Sequence, residues 1–201
     1  RNEHQAIDFN FLKASEYDEV CKITKVINAF YNWDHNSCEA LISKETGVIH
    51  PIDFANAYPD SNLVSLHFYF PTLVKAMVKW LIYNAVTQRT KPVFGREWDD
   101  YHAILDQATR ENWSYKDKLN AYAELADKHF TTKEFNDFSQ EYLSDFDEKT
   151  YEFFAGDEFQ KIIEESVKRY FKIPAEVPKK VIHYSGIHKF WLHCEAEKLG
   201  L

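Results

Sequence analysis

The chain is poor in the residues that interrupt regular structure. Its 201 residues include only five glycines and six prolines. All-β folds with many turns need more of both, so this composition favours packed helices with short connections. A hydrophobic content of 45% is enough to bury the core of one domain, or of a domain with a long appendage.

Cysteine and positive charge are also scarce. Cys21, Cys38 and Cys194 are widely spaced and form no C-x-x-C pair, which argues against a disulfide framework and a cysteine zinc site. A reducing cytoplasm fits this pattern. The 24 lysines and arginines are outnumbered by 32 acidic residues, giving a formal charge of −8, which argues against a dominant surface for nucleic acids or anionic membranes.

No apolar run is long enough to span a bilayer. The most apolar stretch, Leu73 to Val86, is short and contains Lys75 and Lys79. We expect a buried helix here, with the two lysines on its solvent-facing side.

Apolar residues at helical spacing predict helices over most of the chain. Ser15 and Asp18 resemble a capping box at the start of the first helix, and Pro71 fits the first turn of another. Because each helix must bury one face, we expect the apolar stripes to form the core. Those after residue 96 are Trp98, Tyr101 and Leu105; Tyr115, Leu119, Tyr122 and Ala126; Phe135, Phe138 and Tyr142; Phe159, Ile162, Ile163, Val167 and Tyr170; and Val181, Tyr184, Ile187 and Trp191.

One segment has the pattern of a β-hairpin. Residues 40–42 and 48–54 have the character of strands, and residues 44–47 supply the turn. If the hairpin is centred near Thr46, Glu39 lies opposite Asp53. Like charges directly across a strand pair are destabilising, so either a cation neutralises them or the register is shifted and they never meet. We favour the cation.

The predicted fold is therefore α+β, mostly helical, with a small antiparallel sheet and a C-terminal helical extension. The composition changes near Arg89 to Gly95, so we place the division between residues 1–92 and an all-helical part, residues 93–201. The extension has three open roles: shaping substrate access, mediating homodimer formation, or stabilising the sheet.

The order of these features resembles the end of the catalytic domain in the ATP-grasp superfamily, typified by the D-alanine–D-alanine ligases. The resemblance covers about Glu16 to Lys79, and assigns residues 1–92 to the C-terminal portion of such a domain. Within Ser37-Cys38-Glu39-Ala40-Leu41, Glu39 is similar to the first magnesium ligand. Asp53 and Asn56 are similar to the acidic and amide pair on the last strand.

The resemblance implies a magnesium site that acts together with ATP. Two Mg²⁺ ions would be held by Glu39, Asp53 and Asn56 in a ligase that joins a carboxylate to an amine through an acyl phosphate. Its partners would be ATP and a small carboxylate or amine substrate. Ser65, Leu66 and His67 resemble the loop that grips the acceptor substrate, and no residue is assigned a catalytic role.

Two features depart from the superfamily pattern. The superfamily spaces its acidic residue and Asn two apart, whereas Asp53 and Asn56 are three apart and would face opposite ways on a regular strand. A bulge or the start of the loop must therefore turn Asn56 back; alternatively, Asn56 only caps a turn. The chain also lacks a glycine-containing loop for the nucleotide phosphates. We expect a fragment of a longer enzyme, inactive without the missing N-terminal part of the same protein.

Simpler roles are open for each site residue. Glu39 and Asp53 could be exposed carboxylates at strand ends, or could pair with a lysine. Ser65 could cap a turn, and His67 could pack beside Phe68.

Three other interpretations compete with the ligase. Cys38 could be a nucleophile assisted by His35 and Asp34, although no oxyanion element is evident. A metal site could also involve three histidines spaced by five, His183, His188 and His193. Side chains at this spacing cannot share one face of a helix, so surface or interhelix positions are favoured over a metal site. Finally, the chain could be a non-catalytic helical interaction module, because aromatic residues dominate interfaces as well as cores.

Overall fold

The computed structural model describes residues 14–56, 66, 68–95 and 97–201. Within these residues the chain forms eight helices and one antiparallel pair of strands, so the predicted α+β, mostly helical class is confirmed. No described helix combines the length and the apolar character needed to cross a membrane. The elements are α1 (Ala14–Phe30), β1 (Ser37–Ile42), β2 (Ile49–Asn56), α2 (Phe70–Thr87), α3 (Trp98–Arg110), α4 (Tyr115–His129), α5 (Thr132–Tyr142), α6 (Phe146–Ala155), α7 (Asp157–Tyr170) and α8 (Val177–Leu199).

Local signals explain some of the helix boundaries. Pro71 lies in the first turn of α2, as predicted, because its fixed φ suits that position and its missing N–H costs nothing there. The start of α4 is capped by Ser114, whose hydroxyl accepts a hydrogen bond of 3.2 Å from the backbone N–H of Asp117. The first helix begins one residue before Ser15, so Ser15 is helical; its side chain lies outside the described part. No predicted stripe covers α6, which only Gly156 separates from α7.

The chain forms two compact units, each assembled from segments that are distant in sequence. The described residues of the first, the ribbon unit, are 14–56, 89–95 and 97–136. Those of the second, the helical unit, are 66, 68–88 and 137–201. Both units draw on segments from either side of residue 92, where the sequence analysis placed a division.

The ribbon unit is built around α1. This helix packs along α4 and also contacts β2, while α3 packs against α4. An aromatic cluster joins α1 to α3 and α4: Phe30 stacks on Trp98 with ring centres 5.5 Å apart and meets Tyr101 edge-on at 5.2 Å. Tyr101 in turn stacks on Tyr122 at 5.7 Å. The predicted stripes of these helices therefore meet one another, although Leu105 is 48% exposed.

The helical unit is built around α8, which packs against α6 and α7; α2 packs against α6. The indole N–H of Trp191, a fully buried residue of α8, donates a hydrogen bond of 3.0 Å to the Thr72 hydroxyl of α2. Burying so large an aromatic residue is among the main contributions to the stability of such a core. The other buried apolar residues of its α6, α7 and α8 are Phe154, Phe159, Ile163, Val167 and Tyr184.

The prediction that Lys75 and Lys79 face solvent is wrong. Their side chains are only 15% and 20% exposed, because both amines pair with Asp147 of α6, at 3.7 and 2.6 Å, and Lys75 also pairs with Glu195 of α8. The prediction that this helix is buried is also only partly confirmed, because Leu81 is 60% exposed. Ion pairing lets the charged side of α2 pack, which the apolar pattern alone does not reveal.

Candidate functional site

The hairpin is closed by a short irregular loop. Ile42 of β1 faces Ile49 of β2. The backbone N–H of Ser43 donates to the carbonyl of Val48 at 2.9 Å, and that of Gly47 donates to the carbonyl of Ser43 at 2.8 Å. Gly47 has a φ of 71°, a left-handed conformation that glycine adopts without a steric penalty. These pairings centre the hairpin between residues 45 and 46.

This register places Glu39 opposite Ile52 and not opposite Asp53. The predicted opposition of the two acids is therefore wrong. The prediction assumed that the hairpin is centred at Thr46, half a residue beyond the observed centre. That difference shifts every cross-strand partner by one residue. The observed pairing matches the other alternative from the sequence, in which a shifted register separates the like charges.

A β-bulge lies directly before Glu39 in β1, between Ser37 and Glu39. Ser37 faces Asn56 while Glu39 faces Ile52, so one residue of β1 lies opposite three residues of β2. Asp53 is the first of these three and has a φ of 41°, outside the range of a regular strand. Bulges break the alternation of faces and redirect side chains. The irregular backbone predicted between Asp53 and Asn56 is therefore present.

Asn36 holds the bulge against α1. Its side-chain amide donates to the Asn28 side-chain oxygen at 2.9 Å and to the Phe54 carbonyl at 2.8 Å. The Phe54 carbonyl belongs to the three-residue side of the bulge, so Asn36 fixes the backbone next to Asp53. The sequence analysis gave Asn36 no role. An asparagine directly before a strand is a usable signal, because its short amide readily bonds nearby backbone.

Glu39 and Asp53 offer the hard carboxylate oxygens that suit a divalent cation. Glu39 and Asp53 are both exposed, and no described lysine or arginine pairs with either carboxylate. Asn56 pairs through its backbone with Ser37, but its side chain lies outside the described part. Nowhere in the described residues do three or more His, Cys, Asp or Glu side chains form a group that could hold a metal ion. The described part of the ribbon thus supplies two carboxylates, and Asn56, at the end of β2, stays the predicted third ligand.

Of the three predicted acceptor-binding residues, the structure describes only Leu66. Ser65 and His67 lie outside the described residues. Leu66 is 4% exposed and lines a cavity of about 10 Å³ together with Pro71 and Ile163 in the helical unit. A contact between Leu66 and a substrate would therefore have to use its backbone.

The proposed cysteine nucleophile has no matching geometry. Asp34 pairs with Lys91, and the thiol of Cys38 lies 3.6 Å from the backbone carbonyl oxygen of Glu39. No described contact joins Cys38 to His35. All three cysteines, Cys21 among them, are free thiols.

The three C-terminal histidines point to different surroundings, as their spacing predicts. His188 is buried, and its Nε2 atom lies 2.7 Å from the Phe154 carbonyl oxygen. Burial lowers the pKa of His188, and the bond to Phe154 opposes this shift. The His193 side chain is 66% exposed, and His183 is also exposed.

A second polar cluster lies in the ribbon unit, and the sequence analysis missed it. The Nδ1 atom of His129 lies 2.6 Å from the Glu97 carboxylate, and the His129 side chain is only 2% exposed. Burial, and then the nearby charge of Glu97, raises the pKa of Tyr101 to about 12. These residues line a cavity of about 10 Å³ with Asn32 and Trp98. That volume suits about one water molecule, so the cluster cannot hold a substrate.

The resemblance to the ATP-grasp superfamily rests on the order of features in the sequence from about Glu16 to Lys79. No protein family, no curated protein and no solved structure matches this chain.

Proposed function

We propose that the ribbon supplies the magnesium-binding end of the ATP site in a cytoplasmic, ATP-dependent ligase of the ATP-grasp kind that joins a carboxylate to an amine. One observation carries the proposal. Two exposed carboxylates lie at a β-bulge near one end of an antiparallel hairpin, Glu39 directly beside the bulge and Asp53 within it. Carboxylate and amide oxygens are the ligands that suit Mg²⁺ in phosphate-transfer sites.

The roles of the ligands follow from their chemistry. Glu39 and Asp53 would hold the ions, and the Asn56 amide oxygen would complete one coordination shell. Mg²⁺ usually keeps several waters and takes one or two protein carboxylates, so a small ligand set is sufficient. When bound with ATP, two such ions would offset the charge of the phosphates.

The backbone around Asp53 gives this proposal further support. A non-glycine residue with positive φ costs free energy and persists only where its surroundings hold it. Asn36 provides such a restraint through its bond to the Phe54 carbonyl. Strained backbone of this kind is often found at ligand-binding sites, where a side chain must be held in a particular direction.

The remainder of the active site would come from the missing N-terminal part of the same protein. The predicted contacts to the acceptor, a small carboxylate or amine, are Ser65, the backbone of Leu66, and His67. Because the lysines and glycine-containing loop that cover the nucleotide are not in this sequence, we expect the 201 residues to be inactive alone. The test therefore measures metal binding and not turnover.

Paramagnetic Mn²⁺, which accepts the same oxygen ligands as Mg²⁺, is a suitable probe. We expect Mn²⁺ added to ¹⁵N-labelled protein to broaden the amide resonances of Glu39, Ile52 and Asp53 before others, and an excess of Mg²⁺ to reverse this. A non-hydrolysable ATP analogue should strengthen the effect, because its phosphates share the ions.

Two variants distinguish this site from general attraction of cations to an acidic protein. The double variant Glu39→Gln/Asp53→Asn should lose the selective broadening. The control variant Glu45→Gln removes an exposed acid from the loop of the same hairpin and should retain it. Equal broadening in all three proteins, or none in the wild type, would rule out this metal site and leave the non-catalytic helical module.

A further inference from the structure

A surface groove of about 360 Å³ lies in the helical unit, where α7 ends and α8 begins. It is lined by Lys168, Phe171, Lys172, Pro174 and Val177. The groove forms because the chain leaves the helix after Tyr170, and Pro174 prevents the helix from continuing. Neither the proposed metal site nor the core of the unit uses it.

The charge around this groove is opposite to that of the rest of the chain. Residues 168–180 carry five positive side chains and one negative side chain, a net charge of +4, so the remaining residues carry −12. We call this segment and its groove the basic groove. Its cations are Lys168, Arg169, Lys172, Lys179 and Lys180.

The floor of the basic groove is apolar and firmly held. Phe171 packs against Tyr184 of α8 with ring centres 5.8 Å apart. The Lys180 amine lies 5.0 Å from the centre of the Phe171 ring, within the range of a cation–π contact. Ile173, in the same connection, is 57% exposed. The groove therefore combines a fixed aromatic floor, formed by Phe171, with exposed apolar surface and surrounding positive charges.

We propose that the basic groove binds an acidic segment of a partner protein, with one large apolar side chain inserted beside Phe171 and Val177. The carboxylates of that segment would lie against Lys168 and Lys172. A cavity of this volume is at the lower end of those that hold ligands, which suits a side chain of a docked peptide. Complementary charge would guide association and fix the register of the segment.

A short acidic segment fits these observations better than a nucleic acid or an anionic bilayer. Both of those are larger than the groove and would extend beyond it, whereas the residues outside 168–180 sum to a net charge of −12. On the α7 side, Glu164 and Glu165 precede Lys168 by about one helical turn and repel an extended polyanion. The patch is therefore limited to a few carboxylates next to an apolar anchor.

The test uses a fluorescein-labelled peptide of about nine residues, with Leu and Phe at its centre, one Asp or Glu on each side of them, and Gly or Ser elsewhere. We expect saturable binding by fluorescence anisotropy, weakened at high salt because screening shortens the range of the charges. A second peptide with Ser in place of Leu and Phe should bind at least about tenfold more weakly, because it cannot fill the groove.

Variants of residues outside the buried core locate the binding; Lys168 and Lys172 are exposed and Val177 is half-buried. Lys168→Glu/Lys172→Glu should weaken binding at least about tenfold, and Val177→Asp should also weaken it. Lys189→Glu, an exposed charge reversal elsewhere on α8, should leave it within about twofold. Circular dichroism confirms that each variant is folded.

Several results would overturn the proposal. These are no binding of the Leu and Phe peptide, equal binding of the Ser peptide, or an equal loss in the Lys189→Glu control. Tighter binding of a single-stranded oligonucleotide, or of phosphatidylserine vesicles, that depends on Lys168 and Lys172 would assign the groove to that other class of partner. The outcome is independent of the proposed metal site, which lies in the ribbon unit.

Discussion

The Nε2 atom of His188 lies 2.7 Å from the backbone carbonyl oxygen of Phe154, and this contact joins α8 to α6 inside the helical unit. A neutral imidazole with its proton on Nε2 donates this hydrogen bond. Burial disfavours the charged form and lowers the pKa of His188 below its ordinary value of 6.5. The folded state therefore prefers His188 uncharged.

The first prediction concerns acid stability. Because the folded pKa of His188 is lowered, its contribution to stability is present above pH 6.5 and is lost as the pH falls through the folded pKa. His188→Gln keeps an amide donor but cannot titrate, so we expect the free energy of unfolding to depend less on pH in this range. At neutral pH it should cost about 1–2 kcal/mol through lost ring packing.

Urea denaturation at a series of pH values measures this effect. His193→Gln, at an exposed histidine, is the matched control and should retain the pH dependence of the wild type. If the two variants have the same pH profile, His188 is not the group responsible.

The second prediction concerns alkaline stability. The pKa of Tyr101 is raised to about 12, so its contribution to stability is complete below pH 10 and is lost as the pH rises toward 12. This loss amounts to at most about 2–3 kcal/mol. Tyr101→Phe should flatten the alkaline part of the stability curve.

The same substitution should cost less than about 1 kcal/mol at neutral pH, because the buried Tyr101 hydroxyl has no hydrogen-bond partner among the described residues. Denaturation curves recorded from neutral to alkaline pH test both expectations. Tyr17→Phe, at a tyrosine that is 58% exposed, provides the comparison. A neutral-pH loss of several kcal/mol in Tyr101→Phe would instead reveal a partner for the hydroxyl.

The third prediction concerns the buried ion pair between α2 and α8. Glu195 is 3% exposed and pairs with Lys75 and, at 3.3 Å, with Lys198. Lys75→Met removes the more buried partner and should destabilise the protein by up to about 3–5 kcal/mol, less what Lys198 compensates. The double variant Lys75→Met/Glu195→Leu should recover much of this loss, because no buried charge is then left unpaired.

Thermal and urea unfolding of the two variants give the comparison. Lys149→Met breaks an exposed pair with Asp145 and should leave the free energy of unfolding unchanged within experimental error, because solvent screens that pair. A double variant that is less stable than Lys75→Met alone would show that Glu195 contributes by another route.

The sequence predicted the helices well because their signals are local. The apolar stripes, Pro71 and Pro174 all act within a few residues of their own position, and the helices form where these signals place them. Helix α6 was missed because no apolar stripe was recognised between Tyr142 and Phe159, although Phe154 of this helix is buried.

The candidate site was predicted less completely. The strands and the residues with suitable oxygen atoms, Glu39 and Asp53, are recognisable from the sequence alone. Their relative position is not, because it depends on a loop centred half a residue from the assumed place, on a bulge, and on the bond from Asn36 to Phe54. Such features follow from hydrogen bonds between distant parts of the chain.

Composition and periodicity by themselves determined a mostly helical chain with one hairpin, few cysteines and an acidic surface. Only the tertiary structure decided that Lys75 and Lys79 are paired inside the helical unit, that Glu39 faces Ile52, and which segments form each compact unit. The physical reason is that helix formation depends on neighbouring residues, whereas the partner of a charge, the register of a strand and the basic groove depend on residues brought together from distant positions.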